Sequence, residues 1–78
     1  MSCTLYARRK PKTEWPWGFK LSLRDKLHEK YGNLITDTAI SYLEGLRDAS
    51  GDHDDKDALD EMISALYSGD EIELKMEC

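Results

Sequence analysis

The chain predicts a small α+β fold. A three-stranded sheet, made of an N-terminal hairpin and a C-terminal strand, carries three helices on one face, in the order ββαααβ. Three observations support this. The last eight residues, Glu71 to Cys78, alternate polar and apolar without interruption, which is the period of a half-buried strand. The middle of the chain spaces its apolar residues by three and four, as amphipathic helices do. The first twenty-one residues hold two short extended stretches around a proline turn.

The first stretch, Cys3 to Arg9, contains Thr4, Leu5 and Tyr6 and reads as a strand. Lys10-Pro11-Lys12-Thr13 reads as a turn, because proline fixes φ and cannot donate to a ladder. Trp15, Trp17, Phe19 and Leu21 follow at a spacing of two, so an extended segment would place all four on one face. Pro16 confines that segment to a sheet edge or an extended arm.

Ser22-Leu23-Arg24-Asp25 has the form of a capping box with Ser22 as N-cap. Leu23, Leu27 and Tyr31 form a helical stripe, and Gly32 stands where a glycine ends a helix. A second helix is expected from Leu34 or Thr36 to Ala49, with Ile35, Ala39, Leu43 and Leu46 on its apolar face and Ser50-Gly51 as its stop. A third is expected to be capped by Asp54, with Asp57 in its first turn. Its buried stripe is Leu59, Met62, Ile63 and Leu66, and Gly69 closes it. In the last strand Ile72, Leu74, Met76 and Cys78 point inward.

Seventy-eight residues suit one domain, spanning 1–78. A chain of this size buries only roughly 60–65% of its unfolded surface. With 40% apolar and 35% charged residues, it is read as a soluble domain with one thin core and a strongly solvated exterior. No apolar run approaches the roughly 20 residues of a bilayer span. The basic cluster Arg8-Arg9-Lys10 follows a short apolar stretch and precedes no long one, which is not the pattern of a secretory signal. The expected location is cytoplasmic. There Cys3 and Cys78 would be free thiols on the terminal strands. A bridge between them would require those strands to be neighbours.

The net charge of −5 is unevenly distributed. Residues 1–30 carry eight basic and three acidic side chains, a net +5, whereas residues 31–78 carry three basic and thirteen acidic ones, a net −10. The acidic run from Asp52 to Asp57 lacks the glycine and the terminal glutamate of a helix–loop–helix calcium loop, so it is read as a helix N-terminus and not as a metal site. His28 and His53 have no Ser or Cys neighbour at a telling distance, and Gly32, Gly45, Gly51 and Gly69 are too dispersed for a phosphate loop. No enzymatic activity and no cofactor are therefore expected.

The leading expectation is a protein-binding module, either an inhibitor or an adaptor. Its partner-binding residues would be Asp48, Asp52, Asp54, Asp55, Asp57, Asp60 and Glu61, facing a partner with a basic surface. In its sharpest form these carboxylates imitate a phosphate backbone. In size and charge, though through no motif, the chain resembles small acidic proteins of phages and other mobile elements. The alternative is a nucleic-acid-binding or regulatory module, in which Arg8, Arg9, Lys10, Lys12 and Lys20 neutralise phosphates while Trp15 and Trp17 stack on bases. A third reading is a homodimer paired through the edge of the C-terminal strand.

Overall fold

The computed structural model describes residues 2–10 and 12–78. Pro11 of the expected turn lies outside the described residues, and so does Met1. The elements are β1 (Thr4–Arg9), β2 (Trp17–Phe19), α1 (Leu21–Tyr31), β3 (Leu34–Ile35), a 3-10 turn (Asp37–Ala39), α2 (Ile40–Ala49), α3 (His53–Tyr67) and β4 (Ile72–Glu77). The α+β class is as predicted. The antiparallel sheet, however, has four strands in the order β2-β1-β4-β3.

The additional strand comes from the segment read as the start of the second helix. Gly32 ends α1 as expected: its φ of 69° is a left-handed value that suits glycine, and its amide donates to the His28 carbonyl. The chain then leaves in an extended direction. Leu34 pairs with Glu73 and Ile35 with Ile72, while Leu74 donates to the Asn33 carbonyl. Ile35 and Ala39 are buried as the helical stripe required, but from a strand and a 3-10 turn. A spacing of four identified the buried side without identifying the element.

Two helix starts also differ from expectation. β2 runs to Phe19, which leaves Lys20 alone to join it to α1; Lys20 is the N-cap and makes no side-chain cap bond. Ser22 therefore lies inside the first turn. Leu21 takes φ 57° and is 76% exposed, so it leaves the aromatic face on which the period of two had placed it. In α3 the cap is Asp52, not Asp54: its carboxylate accepts from the amides of Asp54 (2.8 Å) and Asp55 (3.2 Å). At the other end of α3, the Asp70 amide bonds to the Ala65 carbonyl and the Gly69 amide to the Leu66 carbonyl. This is the paired closure that a left-handed glycine permits, and Gly69 has φ 93°.

The buried sheet side chains are Leu5, Ala7, Trp17, Phe19, Ile35, Ile72 and Leu74. They share one cluster with Leu27 of α1, Leu43 of α2, and Leu59, Met62, Ile63 and Leu66 of α3. By strand alternation, the opposite face carries Thr4, Tyr6, Arg8, Gly18, Glu73, Lys75 and Glu77. β4 lies between β1 and β3, which covers it along Ile72–Leu74. The open edge required for twinned C-terminal strands is covered there, and the edge strands are β2 and β3.

The β1–β4 register pairs Thr4 with Glu77. One step further sets Cys3 opposite Cys78, and the two are joined as a disulfide with Cα atoms 4.0 Å apart. The expectation of free thiols is thus corrected. The two ends of the sequence are neighbouring strands, which is the condition a bridge needs.

Candidate functional site

The β1–β4 pairing also determines where the charge surplus lies. Arg8 faces Glu73 across the ladder and bonds it through Nη2 at 3.1 Å. Arg9 binds Asp70 through both Nε and Nη2. The basic first part of the chain thus neutralises acids at the end of the second. Arg47 bonds Asp60 at 2.7 Å and lies 3.4 Å from Asp48. Among the described residues, the acids left without an arginine or lysine partner include Asp52, Asp54, Asp55, Asp57 and Glu61. All five belong to α3 or its cap.

The helix concentrates them on its solvent side. Leu59, Met62, Ile63 and Leu66 face the core, which turns Asp54, Asp57 and Glu61 outward at i, i+3 and i+7. His53 lies 3.2 Å from Asp57, and both are well exposed. Asp52 is occupied as the cap. The Glu61 carboxylate accepts from the Trp17 indole at 2.8 Å, which fastens α3 to β2. Six of the seven sequence-predicted acids, from Asp52 to Glu61, therefore sit on α3 or its cap, while Asp48 lies on α2 and is joined to Asp60 through Arg47.

Crowding is felt at Asp55. Partial burial, followed by the charges of Asp52 and Asp54, raises its carboxyl above the ordinary 3.8. The folded protein then holds more proton there than the unfolded chain does. Stability from this group is present below 3.8 and is lost as pH rises through the folded value. Carboxyl-detected NMR titration should therefore find Asp55 above 3.8, and Asp52→Asn, which keeps the cap oxygen and removes the charge, should bring it part of the way down. A wild-type Asp55 that titrates at or below 3.8 contradicts the crowding account.

The basic-aromatic set is dispersed. Arg8 and Arg9 are held in ion pairs, and Lys10, Lys12 and Lys20 are exposed. Trp17 is 6% exposed, with its indole N–H engaged by Glu61. Trp15 lies on the far side of the sheet from it, with the Arg8 guanidinium 4.3 Å and the Lys75 ammonium 4.5 Å from its ring centre. The shared face read from the period of two breaks at Pro16, since β2 begins only at Trp17.

One feature had no signal in the sequence. An open groove of about 570 Å³ runs between Thr4, Tyr6 and Gly18 of the sheet, the exposed Lys20 and Leu21, and the acids Asp52, Asp54 and Asp55. It joins the edge strand to the N-terminus of α3, which lie more than thirty positions apart in the chain. Among the described residues, no group of three His, Cys, Asp or Glu side chains is arranged to hold a metal ion, and no helix is long and apolar enough to cross a membrane. No family model matches the chain, and no curated protein and no solved structure matches it.

Proposed function

We propose that the protein is a non-enzymatic binding module that presents the outer face of α3 to a basic surface on another protein, as an inhibitor or adaptor. The supporting observation is the distribution of ion pairs. Arginines absorb the acids at positions 48, 60, 70 and 73, while Asp54 and Asp57 stay exposed on one helix face. Such a patch attracts a cationic partner and speeds its encounter. Phosphate-backbone mimicry is the sharpest form of this reading. The nucleic-acid reading has less support, since Trp17 is buried and Trp15 already carries two cations.

The disulfide bears on where the module works. A Cys3–Cys78 bond persists in an oxidising compartment and opens in a reducing one. It therefore favours the former over the cytoplasmic placement expected from the sequence.

A tagged chain used to capture partners at low salt, with and without nuclease, provides the test. The captured protein should survive nuclease. The reversal Asp57→Lys, on an exposed side chain without an arginine or lysine partner, should weaken its binding severalfold at low salt. Unchanged affinity removes the helix face from the interface, and capture that vanishes with nuclease moves the reading to Arg8, Lys10, Lys12 and Lys20.

A further inference from the structure

We propose that an extended peptide segment carrying lysine or arginine docks along the open edge of β2, pairing with the Gly18 backbone and setting its basic side chains against Asp54 and Asp55. This rests on the reading of the protein as an acidic binding module and names the kind of segment bound and the place that binds it.

Hydrogen-bond alternation leaves this edge open. The Lys10 amide donates to the Glu71 carbonyl, so the even-numbered residues of β1 point their backbone groups toward β4. The odd-numbered Leu5 and Ala7 therefore point theirs toward β2, onto Phe19 and Trp17. Gly18, opposite Tyr6, is left with its N–H and C=O directed away from the sheet. An antiparallel or parallel strand laid there would satisfy both groups, which is the way sheet edges capture peptides.

The surroundings select the segment. Gly18 has no side chain, and a Cβ built on it would lie 3.6 Å from the Tyr6 ring. The glycine thus bares the ring as an apolar floor, next to Leu21, which is 76% exposed. The groove is lined by three acids, Asp52, Asp54 and Asp55, and by one cation, Lys20. A peptide cation would offset the repulsion that Asp52 and Asp54 add to burial at the Asp55 carboxyl. Pro16 lacks an N–H, so the ladder offered is short, and side-chain charge must supply much of the selectivity.

The experiment is an amide NMR titration of the full oxidised chain at low salt. The probe is a ten-residue peptide of alternating lysine and valine; its control has glutamate in place of lysine. The Gly18 amide should shift and its hydrogen exchange should slow with the lysine peptide and stay unmoved with the glutamate one. Asp54→Lys with Asp55→Lys should weaken binding about tenfold. Shifts confined to Asp57, Asp60 and their neighbours overturn the groove while leaving the acidic face as the interface. A Gly18 amide that responds to protein concentration without peptide assigns the edge to a second copy and overturns the proposal, as does a titration in which nothing moves. The module reading fails on a different result, an unchanged affinity after reversal at Asp57.

Discussion

Replacing Cys3 and Cys78 together by serine lowers the melting temperature by about 15–30 °C. The bond closes a loop across a sequence separation of 75. On the loop-entropy account, such a closure contributes about 4 kcal/mol by restricting the unfolded chain. The whole stability of a domain this small is roughly 4–12 kcal/mol, so the bond supplies a large share of it. Its position imposes little on the fold. By the same alternation that frees Gly18, Cys3 and Cys78 face each other as a pair without ladder hydrogen bonds, where antiparallel chains approach most closely. The Arg24 guanidinium also bonds the Cys3 carbonyl at 2.8 Å, so α1 is fastened to the strand end that the bond secures. Calorimetry of the oxidised, reduced and double-serine proteins checks this. The last two should melt together, well below the first. Three equal melting temperatures contradict it, and two titratable thiols in the untreated, unfolded protein would show that the bond does not form.

The pairing shows which parts of the fold were legible in the sequence. Alternation from Glu71 to Cys78 identified β4, and the stripe from Leu59 to Leu66 identified α3, because in both cases the pattern is long and one side is buried without exception but for Met76 and Cys78 at the strand's end. Short patterns failed for physical reasons. A two-residue strand has no period, so β3 was hidden inside an apparent helical stripe that began at Ile35. The capping box at Ser22 was outweighed by β2, which ended too close to α1 to leave room for a cap. The cysteines could not be paired until the strand order was known, since bridging depends on which strands are neighbours.

The candidate site divides in the same way. That the acids between Asp52 and Glu61 share an element follows from their spacing in sequence. Which of them remain without a cationic partner does not, because the neutralising arginines reach Glu73 and Asp70 from Arg8 and Arg9, more than sixty positions away. The groove beside Gly18 depends on contact between β2 and α3 that only the packed core creates. Charge imbalance in the sequence therefore located the acidic pole coarsely, and the tertiary structure decided which side chains form it.

Trp17→Ala destabilises the protein by about 3–5 kcal/mol, whereas Trp15→Ala, which loses two cation–ring contacts, costs about 1–2 kcal/mol. The two tryptophans are two positions apart and look equivalent in the sequence. Trp17 fills the core between β2 and α3, and its indole is the donor to Glu61. Its removal leaves a cavity on an edge strand of only three residues and releases the helix that carries the acidic face. Trp15 covers Arg8 and Lys75 on the solvated side of the sheet, where each cation–ring contact is worth about 0.5–1 kcal/mol. Trp17→Phe separates the two parts of the Trp17 effect. It keeps most of the apolar filling and loses the hydrogen bond, at a cost of about 1 kcal/mol plus any loss from the smaller ring. Urea unfolding should therefore place Trp17→Ala well beyond both Trp15→Ala and Trp17→Phe, near or past the unfolding limit of so small a domain. Equal losses for the two alanine variants would mean that both rings share one environment, as the period of two had implied. The predicted ranking also bears on function, because α3 and the edge of β2 form the two walls of the groove. Trp17→Phe, which stays folded, should therefore weaken peptide capture at Gly18 more than Trp15→Ala does, although neither ring lines that groove.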